Sequence, residues 1–271
     1  MAFFISACMN THPTSNKKVQ RAWVMYDWAN SVYSLVITST IFPVYYNAVT
    51  QGVDGSDKVS FFGWEVVNTV LYSYSISFSF LVIALLAPLL SGIADASGNK
   101  LNFMKFFVYL GSLSCISLYF FTGENLEFGI ICSVLASIGF SGSIVFYNSY
   151  LPEIAKEEEF DLLSAKGFAL GYIGSVILLV FNLVTIQYPE WFGMPSGSFA
   201  PRFAFLVTGV WWIGFAQIPF RILPNNPYKK SISTDYLWRG YREVTQVFRE
   251  LRSIPVANQF LASFFFYSMG V

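Results

Sequence analysis

Continuous apolar runs, separated by short polar segments, extend along most of this 271-residue chain. A helix needs about 20 predominantly apolar residues to cross a bilayer, and six of the runs reach that length. The six runs occupy residues 22–48, 67–90, 102–121, 128–150, 167–187 and 203–223. Because the runs do not alternate in polarity, they predict membrane-spanning helices and not the strands of a membrane barrel.

A last apolar run begins near Val256 and has about 16 residues, too few for a full span. The preceding linker carries apolar residues at helical spacing among arginines from Thr234 to Ile254, which is typical of an amphipathic helix at a membrane surface. In chain order the predicted parts are a polar cytoplasmic tail, a six-helix transmembrane bundle, a cytoplasmic linker with the amphipathic helix, and the start of a truncated second bundle, at residues 1–20, 21–223, 224–254 and 255–271. We therefore predict an all-α polytopic membrane protein, a fragment that ends within helix 7.

Composition agrees with a lipid environment. Hydrophobic residues make up 55% of the chain and charged residues 12%, whereas soluble domains carry about 25% charged residues. The formal net charge is zero, so the chain lacks the basic footprint of a nucleic-acid-binding protein. The lipid bilayer is the predicted partner of most of the surface.

Residue types that carry catalysis or bind metals are scarce. The single histidine, His12, lies in the polar tail, and Cys8, Cys115 and Cys132 are far apart in the sequence. No nucleotide-binding or zinc-binding motif is present,. Gly139-Phe140-Ser141-Gly142 matches the serine motif of intramembrane proteases, but no span holds a histidine to act as the base. We predict no enzyme activity, no cofactor and no metal.

Basic residues predict the orientation, because cytoplasmic loops of membrane proteins are enriched in lysine and arginine. With the amino terminus in the cytoplasm, only Lys58 and Arg202 of the 16 lysines and arginines fall on the outer side. We expect a multi-pass protein of the bacterial inner membrane with a cytoplasmic amino terminus.

Span 1 carries a carboxylate on a polar face. Asp27, Asn30, Ser31, Ser34 and Thr38 fall on one face of an α-helix, and Tyr33 flanks it,. A carboxylate in hydrocarbon is costly and usually faces a cavity or a partner. One interpretation is a site for a substrate amine or a proton, formed by Asp27, Asn30, Tyr33 and Ser34. The other is a local structural contact of Asp27 with Arg21 or with a loop amide.

Spans 4 and 5 carry further candidates. Asn148 closes a polar face of span 4 that begins at Ser137; this face either lines a cavity opposite span 1 or forms hydrogen bonds between helices. Gly167, Gly171 and Gly174 form a ridge of small residues along span 5. Such a ridge allows a neighbouring helix to pack closely; a flexible pivot is the alternative.

The turn between spans 2 and 3 contains Asp95, Gly98 and Lys100. It resembles the cytoplasmic loop signature of the major facilitator superfamily, although Ser91 stands where a glycine is usual and Ala96 and Asn99 replace basic residues. Asp95 is expected either to cap the start of span 3 or to pair with a basic residue of a nearby cytoplasmic segment. In the transport mechanism that the resemblance implies, Asp95 and Lys100 would help hold one cytoplasmic-side arrangement, as a conformational-switch loop.

Four further stretches carry a closer resemblance: residues 26–31 (YDWANS), 146–152 (FYNSYLP), 164–174 (SAKGFALGYIG) and 209–212 (GVWW). They resemble the branch of the superfamily that is related to the autophagy-linked vacuolar amino-acid effluxer of fungi. The resemblance implies a secondary transporter that works by alternating access on a small polar solute such as an amino acid. It also implies that this chain holds the N-terminal six-helix half and that a second six-helix half is its missing partner.

Two other classes of function remain open at this point. Half a transporter cannot enclose a site unless it pairs, so a non-transporting membrane receptor or an assembly partner built on a half-transporter is the alternative. A membrane enzyme is the third class, and the absence of catalytic clusters in the sequence argues against it.

Overall fold

Six helices are long and apolar enough to cross a membrane in the part of the chain that the computed structural model describes. That part comprises residues 16–52, 55–195, 197–225, 241–242, 245–246 and 249–270, without the side chains of 92–97 and 268–270. We refer to the six helices as spans 1 to 6; they are Lys17–Thr50, Asn68–Ser91, Lys100–Phe120, Leu126–Ile154, Glu157–Gln187 and Phe199–Ile222. The predicted all-α polytopic class is confirmed.

Three of the six spans contain more than one kind of helix. The α-helices are Lys17–Val32, Phe42–Thr50, Asn68–Ser97, Lys100–Ser117, Leu126–Ser149, Leu151–Ile154, Phe160–Gln187, Phe199–Ile222 and Pro255–Gly270. Short 3₁₀ turns occupy Leu118–Phe120, Glu157–Glu159 and Pro189–Phe192. Span 1 begins five residues before its apolar run because the Asn16 side chain caps the helix by accepting a hydrogen bond from the Lys18 amide, at 3.0 Å,.

Span 1 changes helix type in its middle, which the hydrophobic pattern did not predict. Residues Tyr33–Ile41 form a π-helix, in which the backbone bonds run to the fifth residue and each turn is wider. Ser39 and Thr40 each donate a hydroxyl to the carbonyl five residues earlier, at 2.8 and 2.7 Å. Pro43 has no N–H to donate, and the Thr38 carbonyl, five residues before it, accepts from the Tyr72 hydroxyl at 3.3 Å.

The π-helix corrects the predicted polar face of span 1. The α-helical spacing that placed Thr38 in line with Asp27 does not hold beyond Tyr33, because π-turns take more residues than α-turns,. The common face therefore ends near Ser34.

A short β-hairpin between spans 1 and 2 is a second feature that the prediction missed. Strand β1, Lys58–Phe61, pairs antiparallel with β2, Trp64–Val67. The turn between them places both Phe62 and Gly63 at positive φ, 48° and 83°, as two-residue hairpin turns require. The Phe62 amide donates to Glu127 at the start of span 4, at 3.2 Å. We call this end of the bundle the hairpin end and the other the amino-terminal end.

Spans 3 and 4 approach backbone to backbone where Gly111 faces Gly139. A Cβ on Gly139 would overlap with the backbone of Gly111 and lie 2.7 Å from the Phe107 carbonyl oxygen. Small residues at a helix crossing allow this close contact.

The chain divides into two compact units. The first comprises residues 1–83 and 100–225 and contains all the site residues discussed below except Asp95 and Gly98. The second comprises 84–99 and 226–271 and contains the helix Pro255–Gly270 at the place where the start of a second bundle is predicted. Most of the predicted amphipathic helix lies outside the described residues, although 241–242, 245–246 and 249–252 are helical.

Candidate functional site

The carboxylate of span 1 is buried and bound by a tyrosine of span 4. Asp27 is 8% exposed, and its Oδ2 accepts a hydrogen bond from the Tyr147 hydroxyl at 2.7 Å. Within the described residues, the other carboxylate oxygen, Oδ1, accepts no hydrogen bond. The predicted alternative of a local contact with Arg21 or a loop amide is not what the structure has, because the partner lies 120 residues away on another span.

Aromatic contacts hold Tyr147 in place. The Trp23 ring stacks on the Tyr147 ring with centroids 4.3 Å apart and planes at 12°. The Trp23 indole N–H also donates to the Tyr147 carbonyl, at 2.9 Å. Tyr26 packs against the same ring from a third position, with centroids 4.9 Å apart. These contacts with span 1 hold the Tyr147 side chain in the orientation in which its hydroxyl binds Asp27.

The three predicted packing glycines of span 5 face span 1. A Cβ on Gly167 would overlap with Oδ2 of Asp27, and one on Gly171 would lie 3.1 Å from the Asp27 carbonyl oxygen. A Cβ on Gly174 would lie 2.9 Å from the Trp28 ring. The glycines thus give span 1 a close neighbour and leave room for the carboxylate.

Within the described residues, the structure brings none of the other predicted site residues into a hydrogen bond with Asp27. Asn30 is buried, whereas Tyr33 donates to or accepts from the Ser137 hydroxyl at 2.8 Å, away from the carboxylate. Ser34 donates to the Ser31 carbonyl of its own helix at 3.0 Å. Asn148 is exposed, so the side chain that span 4 contributes to Asp27 is that of its neighbour Tyr147.

Three buried hydrogen-bond donors at or near Tyr26 have no partner of good geometry within the described residues. They are the Tyr26 hydroxyl, the Asn30 amide nitrogen and the Trp212 indole nitrogen. The Tyr26 hydroxyl is close to the side chains of Ser143, Trp212 and Asn30 and lies within the field of Asp27. Tyr26, Asn30 and Trp212 are each at most 2% exposed. Buried donors without an acceptor are costly, which makes this cluster a place where a polar group of a solute or water would be stabilised.

The loop between spans 2 and 3 has the predicted tight turn. Gly98 adopts a φ of +67°, which glycine tolerates without strain. Lys100 forms an ion pair with Glu153, with Nζ and Oε1 2.7 Å apart. Glu153 lies in the short helix Leu151–Ile154 that ends span 4. The side chain of Asp95 lies outside the described residues, and its predicted role stays a prediction.

A metal centre has no support in the described part of the chain, where no three histidine, cysteine, aspartate or glutamate side chains come together.

The most informative residue that sequence reasoning missed is Tyr147. Its signal was its place beside Asn148 in the 146–152 stretch, but only the packing of spans 1 and 4 decides which of the two faces Asp27.

Comparison with known proteins gives two kinds of match. A family model described as "Vacuole effluxer Atg22 like" matches residues 15–271. An uncharacterized MFS-type transporter, YxiO of Bacillus subtilis (strain 168), is 33% identical over 94% of this chain and 58% of its own length. Autophagy-related protein 22 of Coccidioides immitis is 22% identical over 97% of this chain and 58% of its own length. The chain therefore spans a little over half the length of these relatives, and no solved structure matches.

Proposed function

The chain belongs to the Atg22-like vacuole effluxer family, and from that premise we propose that it is the N-terminal half of a secondary-active transporter. In this proposal spans 1–6 form one lobe, and a small polar solute binds between it and a second six-helix lobe. The two lobes rock against each other, so that the site opens to each side of the membrane in turn (alternating access). The observation that carries the proposal is the buried Asp27 carboxylate, held by Tyr147 across two spans.

Asp27 is proposed as the group that binds the solute or a coupling proton. An ionisable side chain within a span is expensive and usually serves a pathway or a site. Since Tyr147 occupies Oδ2, Oδ1 is the atom that is left to accept a proton or an ammonium group. The unpaired donors of Tyr26, Asn30 and Trp212 are suited to an acceptor such as a carboxylate or carbonyl oxygen.

The solute class that these groups fit is a small molecule with both an ammonium and an acceptor, such as an amino acid. The family description as a vacuole effluxer supports movement of a solute across a membrane. The proposed orientation has a cytoplasmic amino terminus, and the proposed location is a bacterial inner membrane, in line with the Bacillus subtilis relative.

The ion pair of Lys100 and Glu153 is proposed to stabilise one state of the transport cycle. It joins the start of span 3 to the segment after span 4's long helix, so a rocking movement that separates these segments would break it. Asp95, Gly98 and Lys100 then act together as the switch loop, with Gly98 forming its turn.

The proposal is tested by solute flux. The chain, together with the second six-helix half that the proposal requires, is reconstituted in proteoliposomes. Uptake of each radiolabelled amino acid is measured with a pH gradient of either sign and after an ionophore collapses the gradient. We expect gradient-dependent flux of at least one amino acid above that of empty liposomes. Folded, correctly inserted protein that moves none of them would contradict the amino-acid class, and flux that persists unchanged without a gradient would contradict secondary-active coupling.

A further inference from the structure

A groove of about 560 Å³ runs between spans 1 and 5 on the outside of their contact, at the amino-terminal end of the bundle. Three cations line it, Lys17 and Arg21 from span 1 and Lys166 from span 5, and all three are exposed. Val24, Leu162 and Leu170 form apolar walls beside them. The groove therefore combines positive charge with aliphatic surface.

The positions of the cations along the two helices bring their charges together. Span 1 enters the bundle at Lys17, so Lys17 and Arg21 lie one turn apart near its end,. Spans 1 and 5 both start at this end, since Gln20 donates to the Ile154 carbonyl and to Glu159, at 3.1 and 3.3 Å. Side chains on a helix lean toward its amino terminus, and a long lysine side chain places its charge toward the membrane surface. Lys166 thus extends toward the level of Arg21.

In the described part of the chain, these three charges have no carboxylate partner. Neither Lys17, Arg21 nor Lys166 forms an ion pair within the described residues. Glu159 is the acidic residue in the groove lining. Its Oε2 is taken by the Gln20 amide and by the Lys156 backbone amide, at 3.3 and 3.1 Å. The groove keeps a net positive charge, and like charges along one groove repel unless an anion lies between them.

We propose that this groove binds the anionic headgroup of a membrane phospholipid, with the phosphate between Arg21 and Lys166 and an acyl chain along Val24 and Leu170. Basic clusters at the ends of membrane spans attract anionic lipids, and the aliphatic walls continue the groove into the apolar part of the span. A soluble phosphate compound would use the cations alone, whereas a phospholipid binds the cations and the aliphatic walls with one molecule.

Native mass spectrometry of the detergent-purified native protein tests the proposal, with phosphatidylglycerol and phosphatidylcholine of matched acyl chains as probes. The groove variant carries Lys17→Gln, Arg21→Gln and Lys166→Gln. The control variant carries Lys18→Gln, Lys156→Gln and Arg221→Gln, which removes three charges from exposed residues outside the groove. We expect the groove variant to retain phosphatidylglycerol at least about tenfold more weakly than the parent. The control should match the parent, and phosphatidylcholine should bind weakly to all three.

Two further measurements, together with the comparison above, distinguish a lipid site from a general basic surface and from a site for soluble phosphate. A variant with Lys17→Arg and Lys166→Arg keeps the charges and should retain phosphatidylglycerol. Equal loss in the groove and control variants would show a general basic surface, and equal retention of both lipids would show no headgroup selectivity; each would overturn the proposal. Displacement of phosphatidylglycerol by millimolar glycerol 3-phosphate would also overturn it, because the ligand would then be a soluble phosphate.

Discussion

Spans 3 and 4 and spans 1 and 5 meet through glycines, but the glycines serve different ends. At Gly139 a side chain would overlap with the backbone of Gly111, so the glycine brings two backbones together. At Gly167 it would overlap with the tip of the Asp27 side chain, so the glycine leaves space for a charge. The same residue type therefore supports packing in one interface and shapes a candidate site in the other. The predictions below break or sharpen this difference.

The largest expected effect is on stability, at Gly139→Ala. The added methyl meets backbone atoms that cannot rotate away, and overpacking of this kind costs about 1–3 kcal/mol. We expect a clear loss of thermal stability and yield of the detergent-solubilised protein. Gly214→Ala is the matched control, because nothing lies within 4 Å of a Cβ there. Equal melting temperatures for the two variants would show that the close contact of spans 3 and 4 does not matter.

Gly167→Ala is expected to separate function from folding. Its methyl meets the end of a flexible side chain, which can turn aside, so stability should fall by less than about 1 kcal/mol. Moving the Asp27 carboxylate away from Tyr147 should lower solute flux about tenfold, since small misplacements in a site are costly. A variant that melts as early as Gly139→Ala, or one that transports normally, would remove the distinction between the two interfaces.

Tyr147→Phe removes the hydroxyl that binds Asp27 and keeps the ring on Trp23. Hydrogen bonds between spans are worth about 0.6 kcal/mol on average and up to about 1.7, so we expect a loss of stability in this range with a severalfold loss of flux. Tyr172→Phe, at an exposed tyrosine of span 5, is the control. Identical flux for both variants would show that the Tyr147 hydroxyl has no part in transport.

The smallest effect is expected at the ion pair of Lys100 and Glu153. The Glu153 side chain is 47% exposed, and pairs of this kind contribute at most about 1 kcal/mol. Glu153→Gln should shift the balance of inward-facing and outward-facing states, measured by cysteine labelling from each side of the membrane, with little change in stability. The swap of Lys100→Glu with Glu153→Lys should bring the balance back toward that of the parent. Unchanged labelling in Glu153→Gln would exclude the pair from the switch.

The sequence predicts the six spans, and for most span ends the predicted position is within a few residues of the observed one. This is because long apolar runs determine where a chain crosses lipid. Asp27 and Gly167 could also be selected, since a charge and small residues are unusual within such runs. Tyr147 could not be identified, because one-dimensional spacing says which residues share a face but not which helix that face meets.

The π-helix at Tyr33–Ile41 and the exposure of Asn148 were missed for the same reason. Both depend on hydrogen bonds and contacts from distant parts of the chain, such as the bond of Tyr72 to the Thr38 carbonyl. The only local signal of the hairpin is the turn glycine Gly63, since glycine is common in two-residue hairpin turns,. The apolar runs that predict the spans say nothing about it.

The central claim is that transport depends on the buried carboxylate of span 1. The most direct test compares solute flux in proteoliposomes for the parent chain, Asp27→Asn and the exposed control Asp161→Asn, each reconstituted with the second six-helix half. Insertion is checked by labelling from each side. We predict that Asp27→Asn lowers flux at least about tenfold, while its expression and insertion equal those of the parent and Asp161→Asn transports normally. Normal flux in Asp27→Asn would contradict the account.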